Sequence, residues 1–143
     1  MNWKQEAIEH LQKYDAMVQA VENIPTELAR LEQASCGVGA VRTDTPRVRK
    51  TPDPGNDRLI NNMVQRQALT RSYENARLWV SATDKALSVL APEEKQILFR
   101  MYVRPERGAV SDLCEMLGLE QSSVYRRRDA ALYRFTLALY GAA

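Results

Sequence analysis

Three consecutive arginines, Arg126, Arg127 and Arg128, lie in the stretch SSVYRRRDAALYRF, which has the apolar spacing of a helix. A guanidinium group is always charged and carries up to five hydrogen-bond donors. Such a cluster can therefore contact a polyanion, form ion pairs within the protein or only keep a surface solvated. At about 100° per residue, Val124 and Phe135 share one face of this helix with other apolar residues. The positions of the arginines relative to that face predict three different roles.

Arg126 lies opposite the apolar face, which predicts contact with a guanine edge or a phosphate. Arg127 lies at the border, where its stem can follow the apolar face and its guanidinium can reach a phosphate. Arg128 points toward the packed side, so we expect it to form a structural ion pair with Asp112, Glu115 or the acidic N-terminal part. The alternative, that all three only solubilise the helix, does not account for Arg128.

The residues before this helix indicate how it is positioned. Pro92 is expected to begin a helix, and a loop follows at 104–108. Ser111 is a good N-cap for a short helix at 112–117, which Gly118 would end in the left-handed conformation. The next helix then begins within a few residues and runs to about Tyr140. Two helices joined by so tight a turn predict a helix-turn-helix, although a plain helical hairpin would show the same pattern.

The rest of the chain predicts long amphipathic helices, so the expected fold is all-α. Residues 1–35 show a nearly heptad apolar spacing that Pro25 should interrupt, giving two helices. Residues 36–56 are rich in proline and glycine and read as a linker, in which the RVRK cluster at 47–50 could reach a phosphate or only keep the linker solvated. Residues 57–90 predict one helix of about 30 residues, and residues 91–143 form the C-terminal module. The long helix should pack on the N-terminal helices or on a second copy of the chain.

Three aromatic residues, Trp3, Tyr73 and Trp79, are expected to anchor this packing rather than to stack on a ligand. Trp3 precedes the first apolar stripe, and the other two belong to the long helix. Their size makes them the natural contacts between helices.

Composition argues against catalysis and metal binding. Cys36 and Cys114 are far apart, and His10 is the one histidine of the chain, so no zinc site can be assembled and no cofactor is expected. No nucleophile with a partner base and no phosphate-binding glycine loop is recognisable, so we expect no enzyme. His10 lies on a polar helix face and is expected at the surface. No apolar run could cross a membrane, which predicts a cytoplasmic protein with reduced thiols.

Two segments, LAPEEKQILFRMYV and VSDLCEMLGLEQSSVYRRRDAAL, resemble region four of bacterial sigma factors. The shared pattern is a leucine, a proline, acidic residues, an Ile-Leu pair and an aromatic, followed by a helix-turn-helix whose second helix carries Ser-Val and then basic residues. The order of helices, basic Pro-rich middle and C-terminal module is also similar to the short prophage transcriptional regulators of the ArpU and RinA type. These resemblances imply a phage or prophage regulator acting on late-gene promoters.

The resemblance implies that the helix starting near Gln121 enters the major groove of double-stranded DNA. By family position, Gln121, Ser122, Ser123 and Arg126 would touch base edges and neighbouring phosphates. The sequence departs from the family at Glu120, where a serine or threonine cap is usual, and at Arg127 or Arg128, where many relatives carry an aliphatic residue.

Other expected contacts follow from position on the helix and from charge. Tyr125 flanks the outer face and could either touch the DNA backbone or a thymine methyl group or be half-buried against the first helix of the module. Arg104 and Arg107 precede the turn and either contact phosphates or are only solvated. The expected partner is double-stranded DNA, and host RNA polymerase and a second copy of the chain, bound through the long helices, are the further candidates.

Two further functions fit the same pattern. The small subunit of a phage packaging terminase also joins a helix-turn-helix to oligomerising helices, but it usually places the DNA-binding module first. A protein-interaction module that contacts RNA polymerase would show no salt-dependent affinity for any duplex. Oligomeric state separates the first alternative from a regulator, because a ring of many copies is typical of packaging.

Overall fold

The computed structural model describes the backbone of residues 2–41 and 54–141 and the side chains of residues 2–35 and 55–141. All regular structure in these ranges is helical, which confirms the all-α prediction. The helices are α1 (Trp3–Gln12), α2 (Tyr14–Val41), α3 (Pro54–Ser88), α4 (Pro92–Leu98), α5 (Ala109–Leu117) and α6 (Gln121–Tyr140), and a π-helical turn, Phe99–Val103, follows α4.

The chain divides into two compact units. The first, here called the core unit, comprises Met1–Val18 and Leu78–Ala143, and the second, the two-helix unit, comprises Gln19–Arg77. The sequence-based division began the C-terminal module at residue 91. The core unit also contains α1 and the end of α3, because these segments contribute to the same apolar core as the C-terminal helices.

The predicted break at Pro25 is wrong, because α2 continues through this proline. A proline removes one backbone hydrogen bond, but Pro25 is exposed, so water can satisfy the carbonyl that it displaces. The interruption lies instead at Lys13, between α1 and α2. Backbone bonds from Lys13 N to Glu9 O and from Met17 N to Lys13 O, at 3.2 and 3.0 Å, keep the two helices nearly continuous.

The predicted linker at 36–56 is too long at both ends. Helix α2 extends to Val41, because the glycines of this segment each weaken a helix by only about 1 kcal/mol. Helix α3 begins at Pro54, and proline is favoured at the first position of a helix. The RVRK cluster at 47–50 lies outside the described residues.

The predicted long helix is confirmed, since α3 runs for 35 residues. In the core unit, the end of α3 contributes Ala86 and Leu87 to an apolar core that also includes Leu11 of α1 and Phe135 of α6. The other buried members of this core are Ala7, Leu90, Leu98, Val103, Ala131 and Leu132. Helix α6 therefore uses its C-terminal half as a structural element of the core unit.

A smaller core holds α4, α5 and α6 together through Ile97, Leu113 and Val124. Pro92 begins α4 as predicted, and Gly118 ends α5 with φ of 66° as predicted. The predicted cap at Ser111 is wrong, because α5 begins at Ala109, three residues before the predicted start at 112. Gly108, with φ of 76°, turns the chain sharply there and accepts a hydrogen bond from Asp112 N at 3.0 Å.

The prediction that His10 lies at the surface is also wrong. Its ring stacks on Trp79, with centroids 4.0 Å apart, and its Nε2 lies 2.7 Å from the hydroxyl of the buried Thr83. Trp3 meets the ring of Tyr133 edge-on at 5.9 Å. Both tryptophans therefore pack against helices of the core unit.

No helix within the described ranges combines the length and the apolarity that crossing a membrane requires.

Candidate nucleic-acid interface

Helices α5 and α6 are joined by three residues, Gly118 to Glu120, and the bond from Leu119 N to Cys114 O, at 3.1 Å, closes the turn. Leu113 of α5 and Val124 of α6 are fully buried against Ile97 of α4. The first turn of α6 is thereby fixed relative to α4 and α5.

The outward side of α6 agrees with the predicted wheel. Val124, Ala131 and Phe135 are buried, whereas Gln121, Ser122 and Arg126 are exposed. The guanidinium of Arg126 lies 3.5 Å from the hydroxyl of Ser123, a weak contact. Within the described ranges, Arg126 forms no ion pair, so its donors remain available for a ligand.

A shallow depression of about 330 Å³ brings three of the predicted contact residues together. Ser123, Arg126 and Arg127 line it, with Leu119 and Ala130 on its apolar side. Arg104 and Arg107 are not among its lining residues. The predicted contacts therefore separate into a group on α6 and a group in the loop before α5.

Arg127 forms an ion pair with Glu93, in the first turn of α4, whereas the sequence predicted a guanidinium free to reach a phosphate. Arg134 pairs with Glu94 at 2.5 Å and donates to the carbonyl of Val89 at 3.1 Å. Glu93 and Glu94 lie in the first turn of α4, where the helix dipole also favours acids. Two features of the sequence could have predicted these pairs. Two adjacent acids lie at the start of α4, and Arg127 and Arg134 are seven residues apart, which places them on one face of α6.

Arg128 is half-buried, but its carboxylate partner is none of those predicted. Its Nε and one terminal nitrogen bond to Asp129 Oδ1 at 3.0 and 2.9 Å, and its guanidinium lies 4.9 Å from the centre of the Tyr125 ring. The second oxygen of Asp129 pairs with Lys4 of α1 at 3.2 Å. Arg128 and Lys4 thus share the carboxylate of Asp129, and the pair between Lys4 and Asp129 ties α6 to α1.

Charge in this cluster favours the ionised carboxylate. Burial would raise the pKa of Asp129, but hydrogen bonds from Arg128 and Lys4 outweigh it and hold the pKa below its usual value.

The remaining predicted contacts have mixed environments. Tyr125 is half-buried, and its hydroxyl accepts a long hydrogen bond of 3.4 Å from Gln121. Arg104 pairs with Asp15 of α2 at 3.1 Å, while its side chain stays 72% exposed. Arg107 is exposed and, in the part of the chain that the structure describes, has no carboxylate at ion-pair distance. Arg107 and Arg126 are therefore the cations of this set that a ligand can reach without displacing a carboxylate.

Comparison of the chain with protein-family models, with curated proteins and with solved structures finds no match.

Proposed function

We propose that this protein is a sequence-specific DNA-binding regulator of transcription in which α5 and α6 form a helix-turn-helix and α6 enters the major groove. The observation that carries the proposal is the first half of α6, which presents Gln121, Ser122 and Arg126 to solvent opposite its buried face. Recognition helices contact base edges from their N-terminal residues. An arginine and an amide in this place match the hydrogen-bonding groups of guanine and adenine.

The start of α6 also suits a phosphate. Glu120 is the N-cap residue, and its side chain accepts no hydrogen bond from the helix. The first backbone N–H groups of α6 therefore lack a side-chain acceptor and lie at the positive end of the helix dipole. Both features favour a DNA phosphate near this end, whereas the exposed carboxylate of Glu120 disfavours one placed directly against the cap.

The ion pair between Arg127 and Glu93 does not oppose this function. Their side chains are 47% and 52% exposed, and exposed pairs contribute only about 0–1 kcal/mol. A phosphate can therefore replace Glu93 at small cost. We infer that Arg127 orients α6 on the backbone, whereas Arg128 keeps its structural contacts.

RNA polymerase enters the proposal as a second partner because of the sigma-like motifs in 90–139. A regulator of phage late genes would place α6 on promoter DNA and hold polymerase with another surface. This part of the proposal rests on the sequence resemblance.

The test is a fluorescence-anisotropy titration of the full chain with a duplex from its own upstream or late-gene region and with a scrambled duplex, each at two salt concentrations. A sequence-specific regulator should prefer the first duplex by about 10³-fold or more and lose affinity as salt rises. Equal, salt-dependent binding to both duplexes would indicate packaging or structural DNA binding. Salt-independent or absent binding would contradict DNA recognition and favour an interaction module.

A further inference from the structure

The two-helix unit has little core of its own. Among its described residues, the buried apolar side chains are Leu31 and Ala76, at 5% and 2% exposure. Two helices that pack on each other each bury one stripe of residues, so any second apolar face on either helix needs a further layer to cover it. Within the unit, Asn62 of α3 donates to the carbonyl of Leu31 at 2.9 Å, which shows that the two helices are in contact.

Helix α3 carries a second apolar surface in this unit. Ile60, Met63 and Val64 are 51%, 48% and 59% exposed and fall within an arc of about 100° on the helix. A single exposed apolar residue is normal, but three large ones on one helix face indicate a contact surface.

Next to this surface lies a groove of about 580 Å³ whose charges lack partners. Leu28 and Glu32 of α2 line it together with Met63, Arg66 and Arg71 of α3, and with the polar residues Gln67 and Thr70. The Nε of Arg66 is buried and has no hydrogen-bond partner. Within the described residues, neither Glu32, Arg66 nor Arg71 forms an ion pair, although all three line the same groove.

The charges of this groove favour a second copy of the chain as its occupant. A groove lined only by arginines would suit any acidic partner, but this one also presents an acid beside its two bases. In a two-fold symmetric contact, a residue of one copy that touches a second residue of the other copy is matched by the reverse contact. A patch that carries both an acid and bases can therefore pair with the same patch on another copy. We propose that two copies of this chain associate through the two-helix unit, groove to groove, with Glu32 of each copy facing Arg66 and Arg71 of the other.

This arrangement completes both features of the unit. The partner's Glu32 supplies the carboxylate that the guanidinium groups of Arg66 and Arg71 lack within their own chain, and the exposed face of α3 is covered by the other copy. The interface does not rest on the proposed DNA binding, because none of its residues belongs to α5 or α6. A dimer that ignores DNA would contradict the proposed function and leave this inference intact.

The first test measures the mass of the full chain by sedimentation equilibrium. We expect a dimer, and we expect Val64→Asp to raise its dissociation constant by at least about tenfold. Val89→Asp is the matched control, since Val89 is 51% exposed but belongs to the core unit. Circular dichroism checks that both variants remain helical. A monomeric wild-type chain, or equal effects of the two substitutions, would overturn the proposal.

The second test separates contacts between copies from contacts within one copy. One chain carries Glu32→Arg, and the other carries Arg66→Glu with Arg71→Glu. Each should be monomeric by itself, because like charges would meet across the interface. Mixed in equal amounts, they should form a heterodimer, since every pair across the interface is then opposite in sign. Failure of the mixture to dimerise would overturn the groove-to-groove arrangement. The substitutions would then have broken contacts within one chain, which mixing with a second chain cannot restore.

Discussion

The imidazole of His10 lies flat against the indole of Trp79, with ring centroids 4.0 Å apart and ring planes inclined by 14°. Thr83 donates its hydroxyl hydrogen to the carbonyl of Trp79 at 2.7 Å, so the same oxygen can accept a hydrogen bond from His10 Nε2, also at 2.7 Å. His10 Nδ1 then faces the hydroxyl of Tyr140 at 3.4 Å as an acceptor. This arrangement suits a neutral imidazole with its proton on Nε2.

We predict that His10 makes the core unit less stable in acid. Burial, helped by the positive charge of Lys13, lowers the pKa of His10 from 6.5 to about 4. The folded state therefore disfavours the protonated form, so the contribution of His10 is complete above pH 6.5 and is lost as the pH falls toward 4. Thermal melting at pH 7.5 and pH 4.5 should show a larger loss of melting temperature for the wild type than for His10→Gln. Equal losses would mean that carboxylates, and not His10, cause the acid sensitivity.

We predict that Thr83→Val destabilises the core unit although it conserves the shape of the side chain. Thr83 is fully buried, and its hydroxyl is the acceptor for His10 Nε2. Valine leaves that donor unsatisfied, which costs about 1–3 kcal/mol. Urea unfolding should show this loss, and Thr83→Ser, which keeps the hydroxyl, should recover most of it. A Thr83→Val protein as stable as the wild type would indicate that water or another group satisfies His10.

The sequence predicts features that depend on neighbouring residues but not contacts between residues far apart in the chain, such as those of His10. The exposure of Arg126 and the burial of Val124, Ala131 and Phe135 follow from the helical period, which is a local property. The stacking of His10 joins positions about 70 residues apart, so no local pattern contains it.

The same distinction explains the errors. The partner of Arg127 is Glu93, 34 residues away, and the contact depends on how α4 packs on α6. The break at Pro25 was predicted from the local rule that proline interrupts a helix, but this proline is exposed and α2 continues through it. The helices of the C-terminal module were predictable because proline and glycine mark most of their ends. The start of α5 was predicted three residues too late, because its cap is Gly108 and not a serine.

We predict that Glu93→Gln strengthens non-specific DNA binding. The substitution removes the carboxylate that occupies Arg127 and leaves the guanidinium free for a phosphate. Affinity for a scrambled duplex should rise a few-fold at low salt, because binding no longer has to break the exposed pair, while the slope of log affinity against log salt should change little, since Arg127 contacts the same phosphate in both proteins. The matched control is Glu74→Gln, which removes a comparable exposed pair with Arg77, at 3.0 Å, in the two-helix unit. Similar gains from both substitutions would show an effect of net charge and not of Arg127.

We predict that Arg126→Ala removes specificity without removing stability. Arg126 contacts Ser123 weakly at 3.5 Å and forms no ion pair with the described residues, so its loss should leave the melting temperature unchanged. On the specific duplex, the loss of a bidentate contact with guanine should cost about 1–3 kcal/mol, while binding to a scrambled duplex should change little. Arg126→Lys should not restore specificity, because an ammonium group cannot present two parallel donors in a fixed plane. Lys85→Ala, which removes one exposed charge from α3 in the core unit, controls for net charge. Equal losses on both duplexes would assign Arg126 to a phosphate, and Gln121 would then be the residue of α6 to test for base recognition.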